Sequence, residues 1–386
     1  MTIEAICTPP ETAEIEARRQ KAQAAMAAQG LDALVLFNPD NVFYMTNFAN
    51  FVHERPFLLV VPAKGDPIFI MPGLEEPHVI SRAVGALEFA PYREFPAPEG
   101  EGWDAKLLAV LEGTSKLGIE PDCPYFVINA LGGRHQSCEI IEDLRLIKSP
   151  WEISRHQYAC EMMQLGMGEL MSQCKPGVLA MSLYSLASGK MTQKMYADLP
   201  SANIFSTKLQ AGAQPQAISH DPHNFTDLFI PFEIGGPNVA LAAGKTNGYG
   251  GELERTFFLG HVPDEAKRPF DVMMEARELA FSLTKPGAIM HDVDLAVNNL
   301  LRKAGYGDNL LHRTGHGLGV TAHEAPFLAE GDHREIKPGM VYTIEPGIYI
   351  PGIGGFRHSD TVVVTETGNH NMTPWPDSID EMTLPV

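Results

Sequence analysis

Residues 248–260 read GYGGELERTFFLG. The apolar run Phe257-Phe258-Leu259 and the β-branched Thr256 make this an extended segment. Side chains alternate across a strand, so Glu252 and Glu254 share one face while Leu253 and Arg255 share the other. Two acids side by side on a strand that is otherwise built for burial need a partner: solvent, a cation, or basic residues from elsewhere in the chain. Which of these holds is decided by the polar stretches around them.

Composition narrows the choice. The 386 residues suffice for two domains, each with its own core. Lys and Arg number 29 against 48 Asp and Glu, a formal charge of −19. That balance disfavours nucleic acid and anionic membrane surfaces and favours a small neutral or cationic ligand. The cysteines at 7, 123, 138, 160 and 174 show no CxxC spacing and read as reduced thiols. No uninterrupted apolar stretch is long enough for a membrane span, and MTIEAICTPPETAEIEARR lacks the basic head and apolar core of a secretory signal, so a cytoplasmic location is expected.

The first third alternates helix and strand signals. An Ala-rich helix from Thr12 stops at Gly30, followed by an apolar strand over 31–37. RPFLLVVPAKGDPIFIMPG (55–73) predicts two buried strands joined by a turn at Ala63-Lys64-Gly65-Asp66. A helical stretch over 75–84 and a strand in YFVINA (125–130) complete a small α/β domain, taken as 1–148. Pro150 then starts a helix running to about Cys174.

The remainder, 149–386, contains a repeat. Helix, Lys-Pro-Gly, helix occurs at Lys175-Pro176-Gly177 and again at Lys285-Pro286-Gly287, which predicts two related α/β halves with a site between them. Polar chemistry concentrates here in four stretches. AISHDPHNFTD (217–227) carries His220 and His223, and the opening segment carries Glu252 and Glu254. HRTGHGLGVTAHEAPF (312–327) carries His312, His316 and His323, and VYTIEPGIYIPGIGGFRHSD (341–360) carries Glu345, Arg357, His358 and Asp360. One histidine alone is more often structural than functional, but four such stretches in one domain point to a catalytic site. Arg357 with Asp360 reads as a supporting ion pair, Tyr249 as packing, and the methionines of CEMMQLGMGELMSQC (160–174) as core filling.

With those stretches in hand, the sequence resembles the creatinase/prolidase/methionine aminopeptidase superfamily. GYGGELERTFFLG, TGHGLGVTAHEAP, VYTIEPGIYI and GGFRHSDTVVVT match its landmarks in order. The resemblance implies an α+β architecture: a pita-bread C-terminal domain with pseudo-two-fold α/β halves behind a smaller α/β N-terminal domain. Metallopeptidases of this superfamily hold two metal ions on five ligands. The corresponding positions here are Leu241 or Ala242, then Glu252, His316, Glu345 and Ser359, so two oxygen ligands are missing.

LERT at 253–256 resembles creatinase, the metal-independent member. That likeness implies Glu254 and Glu345 as acids gripping a cationic substrate, with His316 and His323 lining the pocket and Glu252 beside them. It implies His223 as the proton shuttle with His220 as its substitute, and a homodimer in which Arg55 of HERPF reaches a neighbour's site as carboxylate anchor. The expectation is therefore a hydrolase of a C–N bond in a small cationic or zwitterionic metabolite, with no cofactor. The imidazole would act as base and then acid between two binding carboxylates. Two alternatives stand beside it: a metal-dependent Xaa-Pro dipeptidase or aminopeptidase with a single ion on Glu252, His316 and Glu345, and a non-catalytic binding domain.

Overall fold

The structure is a computed structural model that describes residues 2–51, 53–225 and 227–386. It divides into two compact units: Thr8–Arg145, and Leu146–Val386 together with the leading segment that ends at Cys7.

The first unit is built on a sheet of β1 (Ala33–Leu36), β2 (Leu58–Pro62), β3 (Ile68–Pro72), β4 (Glu88–Tyr92), β5 (Leu117–Ile119) and β6 (His135–Ser137), in the order β4-β3-β2-β1-β5-β6. The helix Thr12–Gln29 ends as expected at Gly30, whose φ of 67° lets Gly30 and Leu31 donate N–H bonds back to Ala27 and Met26. The expected strand in YFVINA is instead the helix Tyr125–Ala130. Pro124 fixes the entry to that helix, Tyr125 and Phe126 are exposed, and only Val127 is fully buried, so the segment never enters the sheet.

In the second unit the helix Pro150–Gln173 begins where Pro150 placed it, with a capping box between Ser149 and Glu152. It is followed by Ala180–Asp198, and the later pair is Asp264–Leu283 and Met290–Lys303. The two Lys-Pro-Gly turns are superposable in their bonding. Gly177 N–H donates to Phe232 O and Phe232 N–H to Val178 O; Gly287 N–H donates to Ile336 O and Ile336 N–H to Ala288 O. Both glycines sit at φ near 87°, where an L side chain is strained. The sequence repeat is thus a structural repeat, as the pita-bread architecture requires.

Both helix pairs lie on one sheet. Among the described residues its strands are β7 (Lys208–Gln214), β8 (Gly235–Thr246), β9 (Tyr249–Leu259), β10 (Gly315–Gly317), β11 (Glu324–Leu328), β12 (Val341–Ile344), β15 (Ser359–Val364), and the short β16 (Asn369–Asn371) and β17 (Thr383–Leu384). The path is β11-β10-β12-β15-β9-β8-β7, and β13 (Gly347–Ile350) pairs separately with β14 (Gly354–Arg357). Every residue of β9 is buried. Leu253 joins a core of Met163, Met167, Leu170, Met191 and Ala211, so the methionine-rich helix fills the core as read from its sequence. Glu252 and Glu254 point to the opposite face.

Candidate active site

Three buried carboxylates meet on that face. Thr361 Oγ1 fixes the Glu252 backbone twice, accepting its N–H at 2.9 Å and donating to its carbonyl at 2.8 Å. Ser359 Oγ donates to Glu252 Oε1 at 2.8 Å. Arg357 NH2 donates to Glu254 Oε1 at 2.6 Å, and Arg357 Nε is in contact with the second carboxylate oxygen. Glu345 lies just beyond β12, where its N–H donates to Thr314 O at 2.7 Å.

His316 closes the cluster from β10. Its Nε2 is 3.4 Å from Glu345 Oε1 and 3.8 Å from Glu252 Oε2, and its ring stacks on His323 with centroids 3.7 Å apart. The glycines on either side of His316 are required by crowding: a Cβ on Gly315 would lie 2.0 Å from Thr343 O, and one on Gly317 would lie 2.5 Å from Ala325 O. Burial pushes His316 down to about 4 against the pull of Glu252, so the imidazole is neutral and able to donate a lone pair.

Charge balance sets what the cluster can hold. Burial pushes Glu254 up to about 8 despite Arg357, with Glu252 adding to the rise. Burial and the charges of Glu252 and Glu254 hold Glu345 well above the ordinary carboxylate range. Burial also opposes ionisation of Glu252, but His316, Ser359 and Arg357 outweigh it and its pKa is lowered. Of the three carboxylates, only Glu254 is bonded to a guanidinium, that of Arg357, so an added cation would favour the ionised form of Glu254 and Glu345. Donor atoms of Glu252, His316 and His323 lie within 4.8 Å of one another, as do those of Glu252, Glu254 and Glu345.

These residues fit one ion held by Glu252, His316 and Glu345, a mixed carboxylate and imidazole set suited to first-row divalent metals. They do not offer the two further oxygen ligands of a binuclear centre. Strand register pairs Leu241 with Glu254, whereas Ala242 pairs with Leu253 and faces the other way, so Leu241 stands where a ligand would be needed. Ser359 also pairs with Glu254 and offers only a hydroxyl, already donated to Glu252.

The cluster opens into a cavity of about 790 Å³ whose lining includes Lys208, His223, Glu252, Glu254, His312, Arg313, His316, His323, Glu345 and Arg357. His223 and His323 line this cavity together with the acids. His220 does not: it lines a separate, small cavity with Gln216 and Glu233. Arg55, in the first unit, is ion-paired there with Glu54 and Glu94.

The Arg357–Asp360 pair expected from sequence is also corrected. Arg357 turns to Glu254, while Asp360 turns to the opposite face and takes Arg255 NH2 at 2.8 Å and Arg277 NH2 at 2.7 Å. Strand parity carries this signal, because residues three apart face opposite ways. One site residue not singled out by sequence, Tyr349, links Arg357 to His312: Arg357 NH1 donates to Tyr349 Oη at 2.9 Å, and Tyr349 Oη lies 2.7 Å from His312 Nε2. His312 is pushed down to about 4 by burial and by Arg357, so its neutral ring accepts a hydrogen bond from Tyr349 Oη at Nε2 while its Nδ1 donates to Arg313 O at 2.8 Å. Tyr249 packs against Trp151 and His156, as read from sequence.

Comparison with known proteins agrees with this geometry and amends part of the reading. Residues 18–147 match the Creatinase/Prolidase N-terminal domain, and residues 154–366 match Metallopeptidase family M24. An uncharacterised peptidase of Staphylococcus saprophyticus is 30% identical over 354 residues, covering 90% of this chain and 96% of the relative. The Xaa-Pro dipeptidase of Pyrococcus furiosus is 26% identical over 363 residues, covering 92% and 97%. Among solved structures, the Xaa-Pro dipeptidase of Bacillus anthracis superposes with a TM-score of 0.80 at 25% identity, covering 96% of this chain and 100% of that one.

These relatives are peptidases, so the expected placement beside metal-independent creatinase is not upheld. The expectation of a site needing no cofactor is overturned by the same match. No helix among the described residues is long and apolar enough to cross a membrane. The chain belongs to metallopeptidase family M24.

Proposed function

We propose that the protein is a metal-dependent dipeptidase of the Xaa-Pro type, acting with one divalent cation on Glu252, His316 and Glu345. The observation that carries this reading is the approach of His316 Nε2 to carboxylate oxygens of both Glu345, at 3.4 Å, and Glu252, at 3.8 Å, on a buried face rich in acids. The names of the Pyrococcus and Bacillus relatives support the substrate class.

A bound ion supplies electrostatic polarisation of the scissile carbonyl and of the attacking water. The chain supplies the remainder. Glu345, whose proton affinity is raised by burial and by its neighbours, accepts the proton that water gives up. His323, stacked on His316 at the cavity wall, donates a hydrogen bond to the oxygen that gains charge as the carbon becomes tetrahedral. His223, exposed at the cavity lining, hands a proton to the leaving nitrogen as the C–N bond breaks. Arg357 neutralises Glu254 on the side where Leu241 and Ser359 provide no metal ligand.

Titration of Mn²⁺ or Co²⁺ into chelator-stripped protein tests the proposal. Ala-Pro hydrolysis that rises to a plateau near one equivalent is expected. Failure to cleave any Xaa-Pro dipeptide with the ion bound contradicts it.

A further inference from the structure

We infer that Gln214 is a positioning residue for His223: it grips both ends of the turn that presents the imidazole to the cavity, and so fixes where the leaving nitrogen receives its proton. The inference deepens the dipeptidase reading, and its functional half rests on that reading.

The turn is local. Asp221-Pro222-His223-Asn224 is closed by the Asn224 N–H, which donates to Asp221 O at 3.1 Å. Proline occupies the second position, where its fixed φ suits a β-turn, and His223 occupies the third. Asp221 and His223 are exposed and Asn224 is half-buried. One backbone bond sets the shape of such a turn but not its place over the sheet.

Gln214 supplies the place. It is the last residue of β7. Strand pairing sets Gly212 against Leu241 and Leu241 against Glu254, so Gln214, two residues on from Gly212, stands on the face of the sheet that carries the acids. Its Nε2 donates to Asp221 O at 2.7 Å and to Asn224 O at 3.0 Å, the first and last carbonyls of the turn. Two carbonyl acceptors on one atom define the orientation of the amide, since its oxygen could make neither bond. Gln214 is only 1% exposed, so the turn is tied to the buried end of a strand.

The other half of the amide shows what the residue is for. Among the described residues, Gln214 Oε1 is buried with no hydrogen-bond partner. A buried acceptor left unpaired costs stability, and an apolar side chain of similar length would avoid that cost. The two turn carbonyls lie on a loop at the surface, where water can replace the amide. Stability alone therefore does not account for a glutamine here, whereas a donor aimed at both ends of the turn does.

Ala-Pro hydrolysis and melting temperature are compared for Mn²⁺-loaded wild type, Gln214→Met, Gln214→Asn, His223→Ala and the two double variants. Methionine keeps the length and removes the donors; asparagine keeps the amide one methylene short of the turn. In both single variants of Gln214, kcat is expected to fall by about 30-fold, the size of two net hydrogen bonds, with KM within about 2-fold. Gln214→Met is expected to melt no lower than wild type. Added to His223→Ala, either substitution should change kcat by less than about 2-fold, because it acts through that imidazole. If Gln214→Met does not fold, Gln214→Asn carries the same cycle.

Losses that add in full to that of His223→Ala, or an unchanged kcat in the Gln214 variants, overturn the positioning role and leave the peptidase reading intact. If wild type cleaves no Xaa-Pro dipeptide, the peptidase reading fails, and amide hydrogen exchange over 220–225 decides the clamp alone. Exchange about 10-fold faster in the Gln214 variants supports it, and an unchanged rate overturns it.

Discussion

The two faces of the sheet around β9 and β15 carry similar residues and opposite balances of charge. On one face Glu252, Glu254 and Glu345 share a single guanidinium, that of Arg357. On the other, Asp360 is held by Arg255 and Arg277, and Asn371 donates a further bond at 3.1 Å. Burial alone would raise Asp360, but the two arginines outweigh it and lower its pKa. Burial raises Glu254 and Glu345 with too little positive charge to offset it. A buried charge that is over-compensated belongs to the scaffold, and one that is under-compensated awaits a ligand. The same strands build both, because adjacent residues point to opposite sides.

The largest test of this contrast is Asp360→Ala. It leaves Arg255, fully buried, and Arg277, nearly so, without their shared carboxylate, and should cost about 3–5 kcal/mol in denaturant unfolding. Glu345→Gln should behave the opposite way: stability of the metal-free protein equal to or above wild type, with activity lost by more than the ~100-fold typical of a missing outer-sphere partner. If Glu345→Gln destabilises as much as Asp360→Ala, the distinction between the faces is wrong.

His358 offers a pH test confined to the scaffold face. Burial and then the charges of Arg255 and Arg277 hold it well below its ordinary value of 6.5, and its ring packs against Phe270. The folded state therefore binds fewer protons than the unfolded chain once pH drops below 6.5. The stability from neutral His358 is present above that pH and declines as pH falls. His358→Leu should flatten the slope of stability against pH below 6.5 by up to about 1.4 kcal/mol per pH unit. An unchanged slope means His358 is not what makes this face acid-sensitive.

Tyr349→Phe should have the smallest effect. It removes the hydroxyl shared by Arg357 and His312 and should cost about 1–2 kcal/mol in stability, with the ion still bound. A variant that no longer binds the ion would show that Tyr349 sets the position of the metal site, against its assignment as support for Arg357.

Much of this arrangement was legible in the chain. The alternation at 252–255 put the acids on one face, the Lys-Pro-Gly repeat announced two halves, and the GHG and TIEP segments located His316 and Glu345. Parity also separates Arg357 from Asp360, though the two read as a pair when spacing along the strand was neglected. YFVINA was misread because its Val and Ile suit a strand equally well; burial of one side chain and the proline before it decided for a helix. Arg313 gave no signal, since a guanidinium over Phe327 depends on where β11 turns back beside β10. His220 and His223 lie three residues apart and open into different cavities, which no periodicity in a loop reveals. The expectation of no cofactor rested on two absent oxygen ligands, at Leu241 and Ser359, whereas three side chains of ligand type, Glu252, His316 and Glu345, are present.

The most direct test is the metal content per chain, by mass spectrometry under native conditions after loading with Mn²⁺ or Co²⁺, for wild type and for Glu252→Gln. A single divalent ion per chain in wild type and none in the variant is the expected result. Two ions per wild-type chain, or turnover that persists in metal-free protein, would contradict a single-ion site on Glu252, His316 and Glu345.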